Sequence, residues 1–399
     1  MEVILILNAG NEAVPGIKKA KKMGLKVVLA DKNKFAPGFK YSDYQIYESI
    51  YNYQKLLRQV IKLNNNIIKI NGVIAMGSDT PIAVAKIAKQ LHLPGNSIKT
   101  SLLSTNKLLM KEKLQQGNIN IPWYSEIRNL AHLKKIIKEK KGKFILKPVD
   151  SRGSRGVLQI DKNSKLHWCY EHSLKNSPKK KVMIERFLPG KQISTESIIH
   201  GKDSVTPGMI ERNYEYLKKF KPYVIENGGQ QPVNLSKEQI RKISEITVDA
   251  GRCLGVKYGT VKGDIVLYRN KAYVIEIATR LSGGWMSSDQ IPLGTGIDFL
   301  KLAINIALGK KLNFKSIKIK KKKNVVIRYF FPKFGIIYKL NNKIKKNKYI
   351  KKFMIMNKNY LERNITNHTQ RLGFVIAVAK NKSKAILEAK KFMKEVLVN

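Results

Sequence analysis

Cysteine occurs only twice in the 399 residues, at Cys169 and Cys253. This excludes a disulfide framework and the paired-cysteine spacing of a structural zinc site, and it fits a reducing compartment. Histidine is scarce as well. His92, His132, His167, His172, His200 and His368 include no i, i+4 pair, so no helix face is expected to present two imidazoles to a metal. Long apolar runs are also missing. Val3 to Leu7 is too short for a signal core, no basic segment precedes it, and no later stretch reaches the roughly 18 apolar residues of a membrane span. A soluble, cytoplasmic protein with no membrane partner is therefore expected. Acidic residues number 28 against 77 Lys and Arg, a net charge of +49. The lysines lie along nearly the whole chain among abundant Ile and Asn, all favoured by AT-rich codons, so the excess reads as a codon habit and no specific nucleic acid is expected. A polyanion binder would use the runs Lys320 to Lys323 and Lys345 to Lys352.

What is present is a globular composition, 43% apolar, with enough chain for two or three cores. Val3 to Leu7 reads as a buried parallel strand, Glu12 to Met23 as a helix, and Lys26 to Ala30 as a second strand ending at Asp31: one βαβ unit. The turn Asn8-Ala9-Gly10-Asn11 lacks the glycines of a dinucleotide fingerprint, which disfavours NAD. Gly72 to Met76 is a further strand, and Asp79 or Thr80 is placed to cap the helix Pro81 to Leu91. Phe144 to Pro148, Val182 to Phe187, Val325 to Phe331 and Gly373 to Ala379 read as strands. Lys382 to Val396 reads as a closing helix packing through Ala385, Leu387, Ala389 and Phe392.

Three features carry chemistry. Lys147 ends a strand that feeds Asp150-Ser151-Arg152-Gly153-Ser154-Arg155-Gly156-Val157, a loop whose backbone N–H groups can turn toward phosphate oxygens. It is not a Walker loop, because the lysine precedes the glycines. From Gly259 to Thr279 the pattern is a β-hairpin, and a three-residue turn, Arg269-Asn270-Lys271, sets Asp264 opposite Glu276. Facing carboxylates about 4.5 to 5.5 Å apart at Cβ want a shared proton or a cation, and oxygen donors at that spacing suit Mg²⁺. Alternation puts Val266, Tyr268, Val274 and Ala278 on their face and Ile265, Leu267, Tyr273, Ile275 and Ile277 on an apolar one. Arg280 follows, with Gly283-Gly284 beyond it, as a candidate anion holder.

The order of these motifs resembles the ATP-grasp superfamily, in the branch of carbamoyl-phosphate-synthetase-like and biotin-carboxylase-like carboxylate-amine ligases. The resemblance covers nearly the whole chain. The opening βαβ, with Asp31 and Ala36 to Asp43, looks like the pre-ATP-grasp domain. Thr105-Asn106-Lys107 with Met110-Lys111 looks like the start of the grasp, and Glu185-Arg186-Phe187-Leu188-Pro189-Gly190 like the hinge that meets adenine. By this resemblance Lys107 and Lys147 are the nucleotide-phosphate lysines, and Arg152, Gly153, Ser154 and Gly156 belong to the mobile phosphate loop. Glu185, Phe187 and Leu188 would contact adenine, Gln192 the ribose, Asp264 and Glu276 the metal, and Arg280 the substrate or its acyl phosphate. Two departures stand out: Gln192 where the family usually has Glu, and Ala278 where it has a metal-binding Asn.

The expected fold is mixed α/β and α+β. It comprises an N-terminal parallel α/β pre-ATP-grasp domain (1–105), an ATP-grasp domain of two α+β subdomains (106–312) and a small C-terminal α+β domain (313–399). The expected function is ATP-dependent carboxylate-amine ligation through an acyl phosphate, forming an amide and releasing ADP and phosphate. Arg280 and Lys147 are the catalytic candidates, and the cofactors are ATP and Mg²⁺, with Mn²⁺ able to substitute. The partners are small carboxylates and amines, with a homodimer compatible. The alternatives are a catalytically weak nucleotide-binding relative acting as a sensor, or a polyanion-binding protein.

Overall fold

The computed structural model describes residues 1–331, 339–340, 347–355 and 365–398. The strands Val3–Leu7, Lys26–Ala30, Tyr44–Ile46 and Gly72–Ala75 form a parallel sheet in which Val3–Leu7 is central, between Lys26–Ala30 and Gly72–Ala75. All five residues of the first strand are buried, as a parallel strand covered on both faces requires. Tyr53–Asn66 and Pro81–Gln90 cover one face through Leu56, Val60 and Ile87. The other face is covered by Val14–Lys22 and also by Phe299–Ala307, some 300 residues later in the chain, so that Phe299 and Ile304 share a core with Ile4 and Ile6.

A second sheet is antiparallel, ordered Tyr124–Ile127, Val182–Arg186, Phe144–Pro148, Leu158–Ile160, with the helices Leu130–Glu139 and Leu166–Lys175 packed on it through Leu133, Ile137 and Cys169. The third sheet has eight strands. One edge is the hairpin Lys271–Ala278 and Tyr258–Tyr268, followed by Lys191–His200, Asp203–Asn213 and Gly228–Gln231. It continues through hydrogen bonds between Gly228–Gln231 and Asn324–Phe330 into Gly373–Ala379 and Ile350–Ile355. One sheet therefore spans residue 312 without a break. The helix Lys237–Cys253, started by a Ser236–Gln239 capping box, and Lys107–Gln116 cover its first half through Ile243, Val248, Met110 and Leu114.

Helix Lys382–Val396 covers the far half. It buries Ala385, Ala389 and Phe392 as expected, but Leu387 is 58% exposed and Glu388 is turned inward instead. Glu388 pairs with Lys384 at 3.0 Å and accepts from Asn347, which makes its burial tolerable. Residues 345 and 346 of the second basic run lie outside the described residues, and Lys320 to Lys323 are exposed. No helix among the described residues is long and apolar enough to cross a membrane.

Because Phe299 is fully buried where the returning helix meets the parallel sheet, Phe299→Ala is expected to cost about 3–5 kcal/mol through lost transfer energy and an unfilled cavity. Denaturant unfolding measures it. A loss below about 1 kcal/mol would mean that the returning helix does not anchor the sheet.

Candidate active site

The small antiparallel sheet and the hairpin end of the large sheet face each other across a cavity of about 230 Å³. It is lined by all the residues singled out in the sequence except Gly156. Gly156 is a packing position: its φ is +71°, and an added Cβ would stand 2.7 Å from Asn176 and 2.8 Å from Pro148.

Lys107 is the first residue of its helix, which Asn106 caps by accepting from the N–H groups of Leu108 and Leu109. A cation at a helix N-terminus opposes the dipole, so this lysine has a local cost that a phosphate in front of it would offset. Its ammonium donates to Ser151 O at 2.8 Å and lies 3.7 Å from Glu276. Lys147 is engaged differently. Fully buried Glu185 accepts from Lys147 at 2.6 Å and pairs with buried Lys111 at 3.2 Å, while Lys111 also donates to Val274 O at 2.9 Å in the opposite sheet. Burial drives the Glu185 carboxyl upward, but the two ammonium groups outweigh it and hold it below its usual range. Burial pulls Lys111 down to about 8 against the opposing pull of Glu185. Glu185 thus gathers lysines, and at the hinge the neighbouring Phe187 and Leu188 complete the lining.

The loop at 151–157 reverses through two successive left-handed residues, Gly153 (φ +64°) and Ser154 (φ +62°). Distant segments hold it. Ser154 Oγ donates to Val224 O at 2.7 Å, Gly153 O accepts from the His368 N–H at 3.0 Å, and Arg152 donates to Asp79 O at 3.0 Å while lying 4.1 Å over the Tyr51 ring.

Asp264 does lie directly opposite Glu276, but by a different route from the expected turn. The turn has two residues, Arg269 and Asn270, both left-handed at φ +48° and +59°, with Tyr268 opposite Lys271. A bulge between Asp264 and Ile265 then shifts the register back by one. Three faces are corrected in consequence. Val274 lies in the apolar core with Ile265 and Leu267, Ile275 lines the cavity beside Glu276, and Tyr273 stands opposite the cavity-lining Val266. Thr80 precedes the helix Pro81–Gln90 without a side-chain cap, and Asp79 binds Arg280 Nε at 3.0 Å instead of capping.

Asp264 accepts from Ser194 at 3.0 Å, pairs with Arg212 at 3.1 Å and takes the Lys262 ammonium on its other oxygen. Burial opposes its charge, yet Lys262 and Arg212 hold the carboxyl far below its ordinary value. Lys262 stands opposite Ala278, in the place of the missing third donor. Among the described residues no group of three or more His, Cys, Asp or Glu could hold a metal. The Asp264–Glu276 pair nevertheless fits Mg²⁺, which accepts one or two carboxylates and completes its shell with phosphate oxygens and water. Glu276 is the more open of the two, with Lys107 as its neighbour at 3.7 Å.

A second cavity, of about 460 Å³, adjoins the first and shares Gly153, Arg212, Lys262, Arg280 and His368 with it. Sequence reading missed most of its wall: Glu12, Arg212, Glu226, Lys262 and Arg371. Lys262 was findable, two residues before Asp264 on one face of the same strand. Arg371 and His368 come from the C-terminal part, and no local pattern points to them. Burial and then Arg371 depress His368 well below the usual histidine range, so it stays neutral. Arg328 turns elsewhere, bound to Gly229 O, Ile327 O and Gln230.

Residues 104–284 match the family model of the ATP-grasp domain. The chain thus contains a segment, somewhat under half of its length, that matches the ATP-grasp domain. The chain is similar to the carbamoyl phosphate synthase large chain of Caldanaerobacter subterraneus, 22% identical over 306 residues, which are 75% of this chain and 27% of that protein. The chain thus spans about a quarter of the length of that relative. The fold is that of an L-amino acid ligase from Bacillus licheniformis, with a TM-score of 0.85 and 19% identity, covering 100% of this chain and 98% of the other. It is also that of the biotin carboxylase domain of Hydrogenobacter thermophilus 2-oxoglutarate carboxylase, solved as a dimer with ADP, its magnesium salt and bicarbonate. There the TM-score is 0.76 and the identity 16%, covering 100% of this chain and 90% of that one.

Fully buried Glu196 accepts from Ser282 N–H and from Ser287 Oγ at 3.0 Å, and its Oε2 has no hydrogen-bond partner among the described residues. Burial pushes its carboxyl up to about 7, only partly opposed by those donors. The folded state therefore binds the proton more tightly than the unfolded one, and this stability is full below about 4.5 and lost as pH rises through about 7. Relative to Glu196→Gln, the wild type should lose up to about 3 kcal/mol between pH 4.5 and 8. Melting curves of both proteins across that range test it, and parallel pH profiles would refute the shift.

Proposed function

We propose that the chain is an ATP-dependent carboxylate-amine ligase that works through an acyl phosphate. The observation that carries this reading is the position of Arg280 where two cavities meet. On one side lie Lys107, Lys147 and the loop 151–157; on the other lies a roomy polar chamber for an acceptor. ATP would lie in the first cavity, its phosphates against the two lysines and the backbone of Gly153 and Ser154. The adenine would lie against Phe187 and Leu188, with the ribose at Gln192, whose amide can hydrogen-bond hydroxyls. Arg280, aligned by Asp79, would orient the acid so that a carboxylate oxygen attacks the γ-phosphorus. The bond to the β-bridging oxygen breaks, ADP departs and an acyl phosphate remains. An amine then attacks the acyl carbon, the bond to the phosphate oxygen breaks, and phosphate and a proton are released.

Mg²⁺, held by Glu276 and Asp264, would neutralise charge on the transferring phosphate when bound, and Mn²⁺ offers the same oxygen preference. Arg212 and Lys262 contribute fixed positive charge at the junction, and the segment at His368 closes over Gly153, limiting water that would hydrolyse the acyl phosphate. Ala278 and Lys262, standing where a further metal donor would be, favour a second reading, a nucleotide binder with little turnover. Phosphate release from ATP in the presence of carboxylates and amines separates the two readings.

Lys107 has few structural contacts, so Lys107→Ala should fold normally and weaken ATP binding by on the order of 10-fold or more, as read by calorimetry. Lys147→Ala would also strand buried Glu185 and is the poorer probe. Arg280→Lys should leave ATP affinity within a factor of about two while lowering turnover by on the order of 10², because lysine lacks the planar pair of donors. Normal turnover in that variant would remove Arg280 from the chemistry. Mg²⁺ should raise the melting temperature only with nucleotide present, since two carboxylates alone make an incomplete shell. A shift of equal size without nucleotide would place the ion elsewhere.

A further inference from the structure

We propose that the second chamber selects an amino-bearing carboxylic acid, a zwitterionic α-amino acid, as the component that is phosphorylated, and that Glu12 binds its ammonium group. This rests on the ligase reading above and adds a substrate class to it. Glu12 follows the first strand and enters the chamber past Gly77 and Gly283. A Cβ at Gly77 would stand 2.5 Å from Glu12 Cβ and collide with it, and one at Gly283 would stand 3.0 Å from Glu12 Oε2, a tight contact that would press on the carboxylate. One oxygen, Oε2, accepts the Gly284 N–H at 3.2 Å.

Charge pairing in the chamber leaves Glu12 over. Arg212 is held by Glu226 at 2.6 Å, Arg371 lies 3.6 Å from the same carboxylate, and Arg280 is held by Asp79 at 3.0 Å. Among the described residues, the ion pairs of this wall include no cation for Glu12 itself. In a chain of net charge +49, a carboxylate facing a cavity without its own lysine or arginine is an unused anionic contact. Burial raises its pKa against the pull of Gly284, Arg371 and Arg280, which an incoming ammonium would reverse.

The two ends of one small molecule then fit two known points. Its carboxylate must reach Arg280 at the phosphate side, and its ammonium meets Glu12 on the wall of the same chamber. Ile210, Ile327, Met286 and Trp285 line the chamber and suit an apolar side chain. The ammonium belongs to the acid and not to the attacking amine, because a carboxylate beside an amine favours its protonated form, which is no nucleophile. Holding the amino acid's own nitrogen protonated also keeps it from competing as the attacking group.

The test is a hydroxylamine trap. Protein, ATP and Mg²⁺ are incubated with L-alanine, L-methionine or L-phenylalanine, or with the matching acids that lack the amino group: propanoate, 4-(methylsulfanyl)butanoate and 3-phenylpropanoate. Hydroxylamine converts any acyl phosphate to a hydroxamate. The expected result is that at least one amino acid reacts on the order of 10- to 100-fold faster than its deaminated partner, the difference made by one charge-assisted contact. Glu12→Gln should bring that ratio to within about threefold. Gln can still accept from Gly284, so a role confined to holding the loop would leave the ratio unchanged, and that result overturns the proposal. Deaminated acids reacting as fast as amino acids in the wild type would also overturn it, with the ligase reading intact. No hydroxamate from any acid, with ATP binding confirmed by calorimetry, would remove the ligase reading and this proposal together.

Discussion

Glu185 is the point from which the rest of the first cavity is organised. A carboxylate with no exposure to water is tolerable only if fully compensated, and here Lys147 from the adjacent strand and Lys111 from a helix on the other sheet supply the charge. Since Lys111 also donates to Val274 O, the ion triad ties the small sheet to the eight-stranded one across the floor of the cavity. That link sets Lys147 on the side of the small sheet and Asp264 and Glu276 on the side of the large one, with Lys107, from the same helix as Lys111, between Ser151 O and Glu276.

The same logic of paired charge runs through the acceptor side. Arg212 bridges Glu226 and Asp264, Arg280 is aligned by Asp79, and Lys262 fills the place opposite Ala278. Each of these three cations therefore has a protein anion to define its direction. Such preorganisation suits phosphoryl transfer, where the protein contributes position and charge and little covalent chemistry. Glu12 and Glu276 are the less engaged carboxylates, one on the wall of each cavity.

Much of this was legible in the sequence wherever the argument was local. The strand Phe144–Pro148 leading into a glycine-serine loop, the hairpin carrying Asp264 and Glu276, and Arg280 just beyond it were read from patterns a few residues long. The pairing of Asp264 with Glu276 was right although the turn was one residue too long, because a bulge made up the difference. The assigned faces of Tyr273, Val274 and Ile275 were wrong for the same reason. A bulge places two consecutive residues on one side, and alternation has no term for it. Gly156 was read as a phosphate contact because a glycine in a loop looks alike whether it makes room for a ligand or for Pro148.

The sequence by itself determined the motifs that resemble the ATP-grasp superfamily, the strands and the charged side chains of the first cavity, since each depends on residues close in the chain whose spacing and side-chain chemistry are written together. Only the tertiary structure decided the second chamber. Its wall joins Glu12, Arg212, Lys262, Arg280 and Arg371, separated by up to 359 positions, through sheet pairings that no local periodicity encodes. It also decided which charges are consumed within the protein. Burial and ion pairing are properties of neighbours in space, so a chain rich in lysine could not reveal that one glutamate, shortly after its first strand, would be left without a paired cation among the described residues.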